Sequence, residues 1–278
     1  MAKPDAPAGW PTHLLLIGCG NMAGAMLARW LDCGLPPARV TVIRPSGKPV
    51  AEGVTVRTSL SEPVAADTVV LLGCKPQQLP EVSRDLTGLI GGDAMLLSIL
   101  AGVPGARLRT AFGQAGAIVR CMPNLPVRIG RGVVTLHAEA DAPDTVRSQA
   151  AALGRPLGLV EWLDDEELFD AATALAGCGP AFLYRFIDAL GAAGADLGLD
   201  PSQAARMALA TVKGAAISAA AGEASPADMA DAVASKGGMT RQGLDVLDRP
   251  DGLAVLLAET LRAARDRGAE LAALAAKG

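Results

Sequence analysis

Glycines spaced for nucleotide binding follow the first apolar segment of the chain. The run 13–17 leads into Gly18-Cys19-Gly20-Asn21-Met22-Ala23, a Gly-x-Gly-x-x-Ala pattern that opens a helical stretch. In such a turn the first glycine permits the tight bend, the second leaves room for a pyrophosphate, and the small third residue lets the helix pack on the sheet. Free N–H groups at the helix N-terminus attract phosphates. The stretch predicts dinucleotide binding; a merely tight strand-to-helix turn is the alternative.

A basic turn follows the second predicted strand, 39–43. Folds that prefer NAD usually place a carboxylate there, which binds the ribose hydroxyls. This chain has Arg44-Pro45-Ser46-Gly47-Lys48 instead. Arg44, Ser46 and Lys48 suit a 2′-phosphate through charge-assisted hydrogen bonds. We therefore predict a preference for NADPH, with NADH possible; a solvated basic turn is the alternative.

Further polar loops follow the later predicted strands 67–73, 94–100 and 117–121. These loops are Cys74-Lys75-Pro76-Gln77, Ala101-Gly102 and Met122-Pro123-Asn124-Leu125-Pro126. Because loops at the carboxyl ends of parallel strands line the ligand crevice, Lys75 is predicted to lie near the phosphates or the nicotinamide. An ordinary surface lysine is the alternative.

A second group of candidate residues, Ser235-Lys236-Gly237-Gly238-Met239-Thr240, lies between two predicted helices. Adjacent glycines allow the backbone to expose N–H groups at the start of the next helix, which is an anion site suited to a substrate carboxylate. The hydroxyls of Ser235 and Thr240 flank it. A helix–turn–helix corner with Thr240 as the cap is the alternative.

The elements that must position these groups differ between the two parts of the chain. Apolar strands alternate with helices up to residue 164, which predicts an α/β fold with a Rossmann-type, doubly wound, mostly parallel sheet. Helical spacing dominates afterwards, including one helix expected over 166–176. We predict a flexible extension at 1–12, a dinucleotide-binding domain at 13–164, and an all-helical dimerisation and substrate domain at 165–278. Because the helical part is apolar and lacks enough residues for its own core, it favours a dimer.

Composition excludes several other classes of protein. The 278 residues carry a net charge of −4, which argues against a nucleic-acid partner. No apolar run is long enough to cross a bilayer, and residues 1–12 lack a signal-peptide core. The five scattered cysteines and two histidines form no metal-ligand or disulfide pattern. We expect a cytoplasmic protein with reduced thiols, no metal, and no membrane partner.

Several motifs in a fixed order span residues 14 to about 250 and identify a family. They are Gly18-Cys19-Gly20-Asn21-Met22, Cys74-Lys75-Pro76-Gln77, Ser98-Ile99-Leu100-Ala101-Gly102, Met122-Pro123-Asn124-Leu125-Pro126, Gly177-Cys178-Gly179-Pro180-Ala181-Phe182 and Ser235-Lys236-Gly237-Gly238-Met239-Thr240. Together they resemble the pyrroline-5-carboxylate reductase family, of which the Gly-Gly-x-Thr loop between helices is the distinctive signature.

The resemblance implies an activity and a set of site residues. The activity is NAD(P)H-dependent reduction of L-1-pyrroline-5-carboxylate to L-proline, the last step of proline biosynthesis, in a homodimer or a larger homo-oligomer built from dimers. As catalytic residues it implies Thr240, bonded to the ring nitrogen, Ser235 as its assistant, and Glu223, which orients Thr240 through water. Substrate contacts are implied for Gly237, Gly238, Met239, Thr240 and Glu166. A solvated helical carboxylate is the alternative for either glutamate. Cofactor contacts are predicted for Gly18, Cys19, Gly20, Asn21, Met22, Arg44, Ser46, Ser59, Cys74, Lys75, Pro76, Ala101, Gly102 and Asn124.

Some positions depart from the family pattern. The family commonly has Pro at Lys236, Thr or Ala at Met239, Asn at Ser59, and Ser-Gly-Ser-Gly-Pro at 176–180. These departures bear on substrate affinity and on fine cofactor contacts.

The alternative functions are another NADP-dependent imine or β-hydroxyacid reductase of similar two-domain architecture, and a regulatory protein that binds the cofactor without turnover. The glycine-rich loop argues against both.

Overall fold

A computed structural model describes residues 9–276, so the first eight residues of the predicted flexible extension lie outside the described part. The centre of the fold is one eight-stranded sheet with the spatial order β3-β2-β1-β4-β5-β6-β7-β8. Its strands are β1 His13–Ile17, β2 Val40–Ile43, β3 Thr55–Arg57, β4 Thr68–Leu72, β5 Met95–Ser98, β6 Ala117–Pro123, β7 Gly132–Ala138 and β8 Gly158–Trp162. Neighbouring strands are parallel except β6 and β7. The predicted α/β fold with a Rossmann-type sheet is confirmed.

Alternate side chains of the strands enter two separate apolar cores, one on each face of the sheet. In β1, Leu14 and Leu16 belong to one cluster, while Leu15 and Ile17 belong to the other. This alternation follows from the pleat, which points successive side chains to opposite faces. Burial on both faces explains why the central strands are continuous apolar runs.

Helices cover this sheet and then form the rest of the chain. They are α1 Asn21–Asp32, α2 Leu79–Asp85, α3 Gly105–Ala111, α4 Asp144–Gly154, α5 Phe169–Ala172, α6 Gly179–Asp196, α7 Pro201–Ala221, α8 Pro226–Ala232, α9 Met239–Leu247 and α10 Leu253–Ala276. On one face α1 is fastened to α4, because the buried Trp30 indole N–H donates to the Leu153 carbonyl at 2.8 Å.

The prediction of one continuous helix over 166–176 is wrong, because three different kinds of helical turn follow one another there. The chain forms a 3₁₀ turn at Glu166–Leu168, then α5, then a π-helical turn at Thr173–Gly177. The Thr173 hydroxyl donates to the Phe169 carbonyl at 2.7 Å, and the Cys178 N–H donates to the Thr173 carbonyl at 2.9 Å. A side-chain hydroxyl that bonds to the preceding turn disturbs the helical ladder, which sequence spacing does not reveal.

The chain divides into two compact units. The first, which we call the sheet unit, contains residues 1–178 and 264–278; the second, the helical unit, contains residues 179–263. The end of α10 therefore packs with the sheet unit. The sequence predicts a domain boundary after residue 164, where alternating strands and helices give way to helices alone. The dinucleotide-binding role before that boundary and the dimerisation and substrate role after it remain predictions.

Small side chains bring α6 and α7 together in the helical unit. A Cβ placed on Gly191 would lie 3.2 Å from the Ala205 Cα, and one placed on Gly194 would lie 3.4 Å from the Ala204 Cβ. Asp200 caps α7 through the Gln203 N–H, and Ser225 caps α8 through the Asp228 N–H; a proline follows each cap residue at the first position of its helix.

Candidate active site

The turn between β1 and α1 has room only for glycine at its first position. Gly18 has a φ of +84°, and a Cβ there would lie 2.9 Å from the Gly73 carbonyl oxygen and 3.0 Å from the Cys74 nitrogen. The Gly18 N–H donates to the Ile43 carbonyl at 2.8 Å, which ties the turn to β2. Ala23 is 1% exposed, and a Cβ on Gly73 would collide with it at 2.9 Å. The predicted roles of the first glycine and of the small alanine are thus confirmed by the packing.

The second glycine, Gly20, leaves open space at the start of α1. It is exposed, it is the N-cap residue without a capping side chain, and a Cβ on it would meet no atom within 4 Å. The first N–H groups of α1 have no acceptor inside the helix and face this space. A pyrophosphate fits such a cradle, since it is anionic and needs close approach to backbone N–H groups.

A cavity of about 830 Å³ opens beside this turn, at the carboxyl ends of β1, β2 and β4. This is where the strand order reverses in a doubly wound sheet, which is the usual ligand crevice. Eight predicted cofactor residues line the cavity: Gly18, Cys19, Gly20, Arg44, Ser46, Ser59, Cys74 and Lys75. The structure therefore brings together the glycine turn, the basic turn and the loop after β4.

The basic turn after β2 contributes Arg44 to the cavity, which Lys75 also lines. Arg44 is half-buried there. Its backbone N–H donates to the Arg57 carbonyl at 2.9 Å, so β3 fixes the start of the turn. Its guanidinium lies close enough to Cys19 to lower the pKa of that thiol, against the larger effect of burial. Lys48 is exposed and does not line the cavity. A 2′-phosphate fits Arg44 and Ser46 without Lys48.

The two cysteines of the cavity are poor candidates for nucleophiles. Burial raises the pKa of Cys19, with Arg44 opposing it, and burial also raises the pKa of Cys74, with a backbone hydrogen bond opposing it. A thiol with a raised pKa stays protonated at neutral pH and reacts slowly. Both residues therefore line the cavity as small, uncharged groups.

Sequence reasoning missed several residues of this cavity. Thr58, Gln78, Glu81 and Asp85 also line it. Thr58 follows the short strand β3, and the other three lie in or beside α2; neither element was predicted. The spacing of Glu81 and Asp85, four residues apart on one helix face, was the available signal.

Six predicted cofactor residues do not line the cavity: Asn21, Met22, Pro76, Ala101, Gly102 and Asn124. Asn124 is buried, and its carboxamide already bonds to the protein. The Nδ2 donates to the Ala176 carbonyl at 2.9 Å, while the Oδ1 accepts from the Val133 N–H at 2.9 Å. Asn124 thus fixes the connection between β6 and β7, and a direct cofactor contact by these six residues remains a prediction.

Glu166, predicted to contact substrate, is held by the sheet unit. Its Oε1 lies 2.7 Å from the Arg120 Nη1 and accepts the Gly105 N–H at 2.7 Å. Arg120 is 6% exposed and its guanidinium lies 3.8 Å from the centre of the Phe169 ring. This cluster was not found from sequence, because its members are far apart along the chain.

The 235–240 corner joins α8 to α9 in the helical unit. Gly237 has a φ of +73°, and Gly238 is the N-cap of α9, with no capping side chain. The alternative in which Thr240 caps the helix is therefore wrong. The Gly238 N–H already donates to the Ser235 carbonyl at 2.9 Å, so it is not available to a ligand. A Cβ on Gly238 would also lie 3.1 Å from the Ser235 carbonyl oxygen, so the turn has little room for a side chain there.

The other groups of the corner are open. Ser235, Lys236 and Thr240 are exposed, and Met239 is 93% exposed. The N–H groups of Met239 and Thr240 lie in the first turn of α9, where they have no acceptor inside the helix. An ion pair of 2.8 Å between Arg241 and Asp231 fastens this turn to α8. The corner can thus bind an anion next to a hydroxyl.

Glu223, the third predicted catalytic residue, lies in the connection between α7 and α8 and is exposed. Among the described residues, no group of three or more His, Cys, Asp or Glu side chains is arranged to hold a metal ion. Within the same residues, every helix is too short or too polar to cross a membrane.

Two family models match the chain, one in each half. The model for pyrroline-5-carboxylate reductase dimerisation matches residues 166–271. The model for NADP oxidoreductase, coenzyme F420-dependent, matches residues 13–102. The second match covers the glycine turn, the basic turn and the loops after β4 and β5.

Similar proteins extend over nearly the whole chain. A pyrroline-5-carboxylate reductase of Pseudomonas aeruginosa is 35% identical over 94% of this chain and 97% of its own. One of Synechocystis is 36% identical over 93% of this chain and 98% of its own. The solved structure of a pyrroline-5-carboxylate reductase from Coxiella burnetii is 29% identical, with a TM-score of 0.84 over 94% of this chain and 99% of that one.

Proposed function

The chain belongs to the pyrroline-5-carboxylate reductase family, and on that premise we propose that it reduces the C=N bond of L-1-pyrroline-5-carboxylate to give L-proline. The observation that carries this proposal is the 235–240 corner, where an uncapped start of α9 lies beside the Thr240 hydroxyl. A small cyclic imine with a carboxylate needs both groups. The reaction is the last step of proline biosynthesis.

The reaction places defined demands on the site. NADPH, when bound, supplies a hydride to the carbon of the C=N bond. The nitrogen gains a proton, so the net reaction consumes NADPH and one proton and yields proline and NADP⁺. The protein must hold the ring in position and stabilise the change of charge at its nitrogen.

The corner meets these demands with two kinds of group. The Met239 and Thr240 N–H groups bind the substrate carboxylate at the positive end of α9. The Thr240 hydroxyl forms a hydrogen bond with the ring nitrogen, and Ser235 assists it. Glu223 orients Thr240 through water. The proton comes from water or arrives with a substrate that is already protonated.

The cofactor is NAD(P)H, and we propose a preference for NADPH. The half-buried Arg44 and the Ser46 hydroxyl in the cavity support it, since together they suit a 2′-phosphate. Glycines 18 and 20 admit the pyrophosphate, and Lys75 lies in the same cavity.

The protein is a homo-oligomer, and we propose that its helices form the dimer contact. Large apolar side chains of the helical unit, such as Phe186 and Ile217, are 45% and 59% exposed in the single chain. Burial of such surface stabilises association. The proposed reaction requires the 235–240 corner to meet the nicotinamide end of a cofactor crevice, and we propose that the crevice of a second subunit provides it.

A turnover assay tests the proposal. Purified protein is mixed with pyrroline-5-carboxylate and NADPH or NADH, and the nicotinamide absorbance is followed; a β-hydroxyacid with NADP⁺ is the competing substrate. We expect turnover with the imine and a higher kcat/KM for NADPH. Thr240→Ala is expected to lower kcat/KM by roughly 10- to 1000-fold, as for loss of one transition-state hydrogen bond. Thr240→Ser, which keeps the hydroxyl, is the control.

Two outcomes contradict this assignment. Oxidation of the hydroxyacid without reduction of the imine points to the β-hydroxyacid class. Near-normal activity of Thr240→Ala removes that residue from the mechanism.

A further inference from the structure

A buried arginine lies under the loop that follows β5. Arg120 is 6% exposed, and its guanidinium lies between the Phe169 ring, at 3.8 Å, and the Glu166 carboxylate, at 2.7 Å. A buried charge is costly unless it is paired and hydrogen-bonded. Arg120 therefore holds Glu166 in one position, and Phe169 restricts the guanidinium from its other face.

The same carboxylate oxygen reaches the start of α3. The Oε1 of Glu166 accepts the Gly105 N–H at 2.7 Å. Gly105 is the first residue of α3 and is buried; a Cβ on it would lie 3.3 Å from that oxygen. Glu166 thus satisfies an N–H that has no partner inside the helix, and its negative charge lies at the positive end of α3.

This contact anchors one end of residues 100–104, which we call the β5–α3 loop. At the other end, the Leu100 N–H donates to the Ser98 Oγ at 3.3 Å. In between, Gly102 has a φ of +69°, and a Cβ on it would lie 3.3 Å from the Leu271 Cβ of α10. A pocket of about 210 Å³ lies beside the loop, between Gly102, Pro104, Arg120 and Glu166.

The strand order says which part of a dinucleotide would reach this loop. The spatial order across the crevice is β2, β1, β4, β5. The basic turn that suits the 2′-phosphate follows β2, and the pyrophosphate cradle follows β1. A dinucleotide whose 2′-phosphate lies at β2 and whose pyrophosphate lies at β1 extends next across β4. Its nicotinamide end therefore reaches the β5–α3 loop.

We propose that Arg120 and Glu166 are positioning residues that hold the β5–α3 loop against the nicotinamide end of the cofactor. This inference rests on the proposed function. Neither side chain touches the cofactor; both act through the Gly105 N–H and the loop backbone. Glu166 thereby has a different role from the substrate contact that the sequence predicts for it.

Two ligands separate this role from general damage. NADPH reports the whole cofactor through its nicotinamide fluorescence, whereas 2′-phospho-ADP-ribose lacks the nicotinamide ring. Glu166→Ala is expected to weaken NADPH binding about 10-fold and to leave the affinity for 2′-phospho-ADP-ribose within about twofold. Its KM for pyrroline-5-carboxylate should stay within about twofold, while kcat falls by about 10-fold or more.

Matched variants complete the experiment. Glu166→Gln keeps an oxygen acceptor for the Gly105 N–H, so its NADPH affinity should stay within about threefold of the original protein. Arg120→Lys keeps the charge but loses the planar guanidinium that lies over Phe169 and reaches Glu166, and it is expected to show the same split between ligands if Glu166→Ala does not fold. Glu139→Gln is the control, because the Arg109–Glu139 ion pair joins the last turn of α3 to the residue after β7, whereas Glu166 binds the first N–H of that helix.

Three results overturn the proposal. The first is an equal loss of affinity for both ligands in the Glu166 and Arg120 variants. The second is an unchanged NADPH affinity with a raised KM for the imine, which is the signature of direct substrate contact. The third is NADPH binding by Glu166→Ala like that of the original protein. If instead the original protein binds NADPH but does not reduce pyrroline-5-carboxylate, the proposed function fails while the binding comparison still decides the role of the loop.

Discussion

The sheet unit and the helical unit differ in how much of a site each completes within one chain. The sheet unit has an apolar core on each face of its sheet and a cavity built largely from backbone turns. Among the described residues of the helical unit, only Gly191, Ala204 and Ala208 are buried. Its large apolar side chains face outward. The sheet unit therefore contains the candidate cofactor cavity by itself, whereas the helical unit exposes the kind of apolar surface that a second copy could cover.

This difference separates two properties of the protein. In the proposed function, cofactor binding depends on the short turns of the sheet unit. The proposed turnover depends in addition on α9 and the 235–240 corner, which belong to the unit with few buried residues. Variants of the two units should therefore affect binding and turnover differently.

The largest effect is expected from a charge on the outward face of α6. Phe186→Glu should prevent assembly and lower kcat by about 100-fold or more, because a carboxylate cannot be buried there without a partner. NADPH affinity should stay within about twofold, measured by fluorescence beside the mass in solution. Leu159→Glu, at an exposed leucine of β8, is the control and should leave the mass unchanged. An assembled, active Phe186→Glu protein would remove the contrast between the units.

The next effect concerns the glycine turn of the sheet unit. Gly18→Ala should weaken NADPH binding about 100-fold, equivalent to about 3 kcal/mol, and lower the melting temperature, since its Cβ would meet the Gly73 carbonyl at 2.9 Å. Gly20→Ala should leave the melting temperature unchanged, because its Cβ would meet no protein atom within 4 Å. It should weaken NADPH binding about 10-fold, because the Cβ would occupy space that the pyrophosphate needs. Gly24→Ala is the control, since its Cβ meets only the Cys19 Sγ, at 3.8 Å. Equal melting temperatures for the first two variants would contradict the packing argument.

A smaller effect is expected at the basic turn. Arg44→Ala should lower the ratio of kcat/KM for NADPH over NADH by about 10- to 100-fold, the value of one or two charge-assisted hydrogen bonds. Lys48→Ala should change that ratio by less than about threefold, because Lys48 lies outside the cavity lining. Steady-state kinetics with both cofactors measures this, and an unchanged ratio in Arg44→Ala would refute the assignment.

The smallest effect is on stability. The Arg109 guanidinium holds the pKa of Glu139 below its usual value of 4.5, and burial opposes this. A carboxylate whose pKa is lower in the folded state stabilises the fold at pH values above its unfolded-state pKa. This contribution is lost as the pH falls through the folded-state pKa. Glu139→Gln should therefore lower the free energy of unfolding by about 1 kcal/mol at pH 7 and progressively less below about pH 4.5. Denaturant titrations at several pH values measure this; a pH-independent difference would contradict it.

Sequence reasoning identified the parts of the candidate site that consecutive residues define. The glycine turn, the basic turn and the 235–240 corner each lie within a few residues, and each needs a particular backbone shape or charge that residue types reveal. The short elements β3 and α2 were missed, because neither contains an apolar run: β3 is only Thr-Val-Arg, and α2 is mostly polar with a proline at its second position. Thr58, Glu81 and Asp85 were missed with them.

What the sequence by itself determined is therefore local: a strand, a glycine turn, a helix, a basic loop and an uncapped helix start. Only the tertiary structure decided that Gly73 faces Gly18 and Ala23, and that Glu166 meets both Arg120 and Gly105, which lie 46 and 61 residues away. Such contacts depend on the order of strands in the sheet and on how helices pack across it. The residue types near each position do not specify the strand order or the packing of the helices.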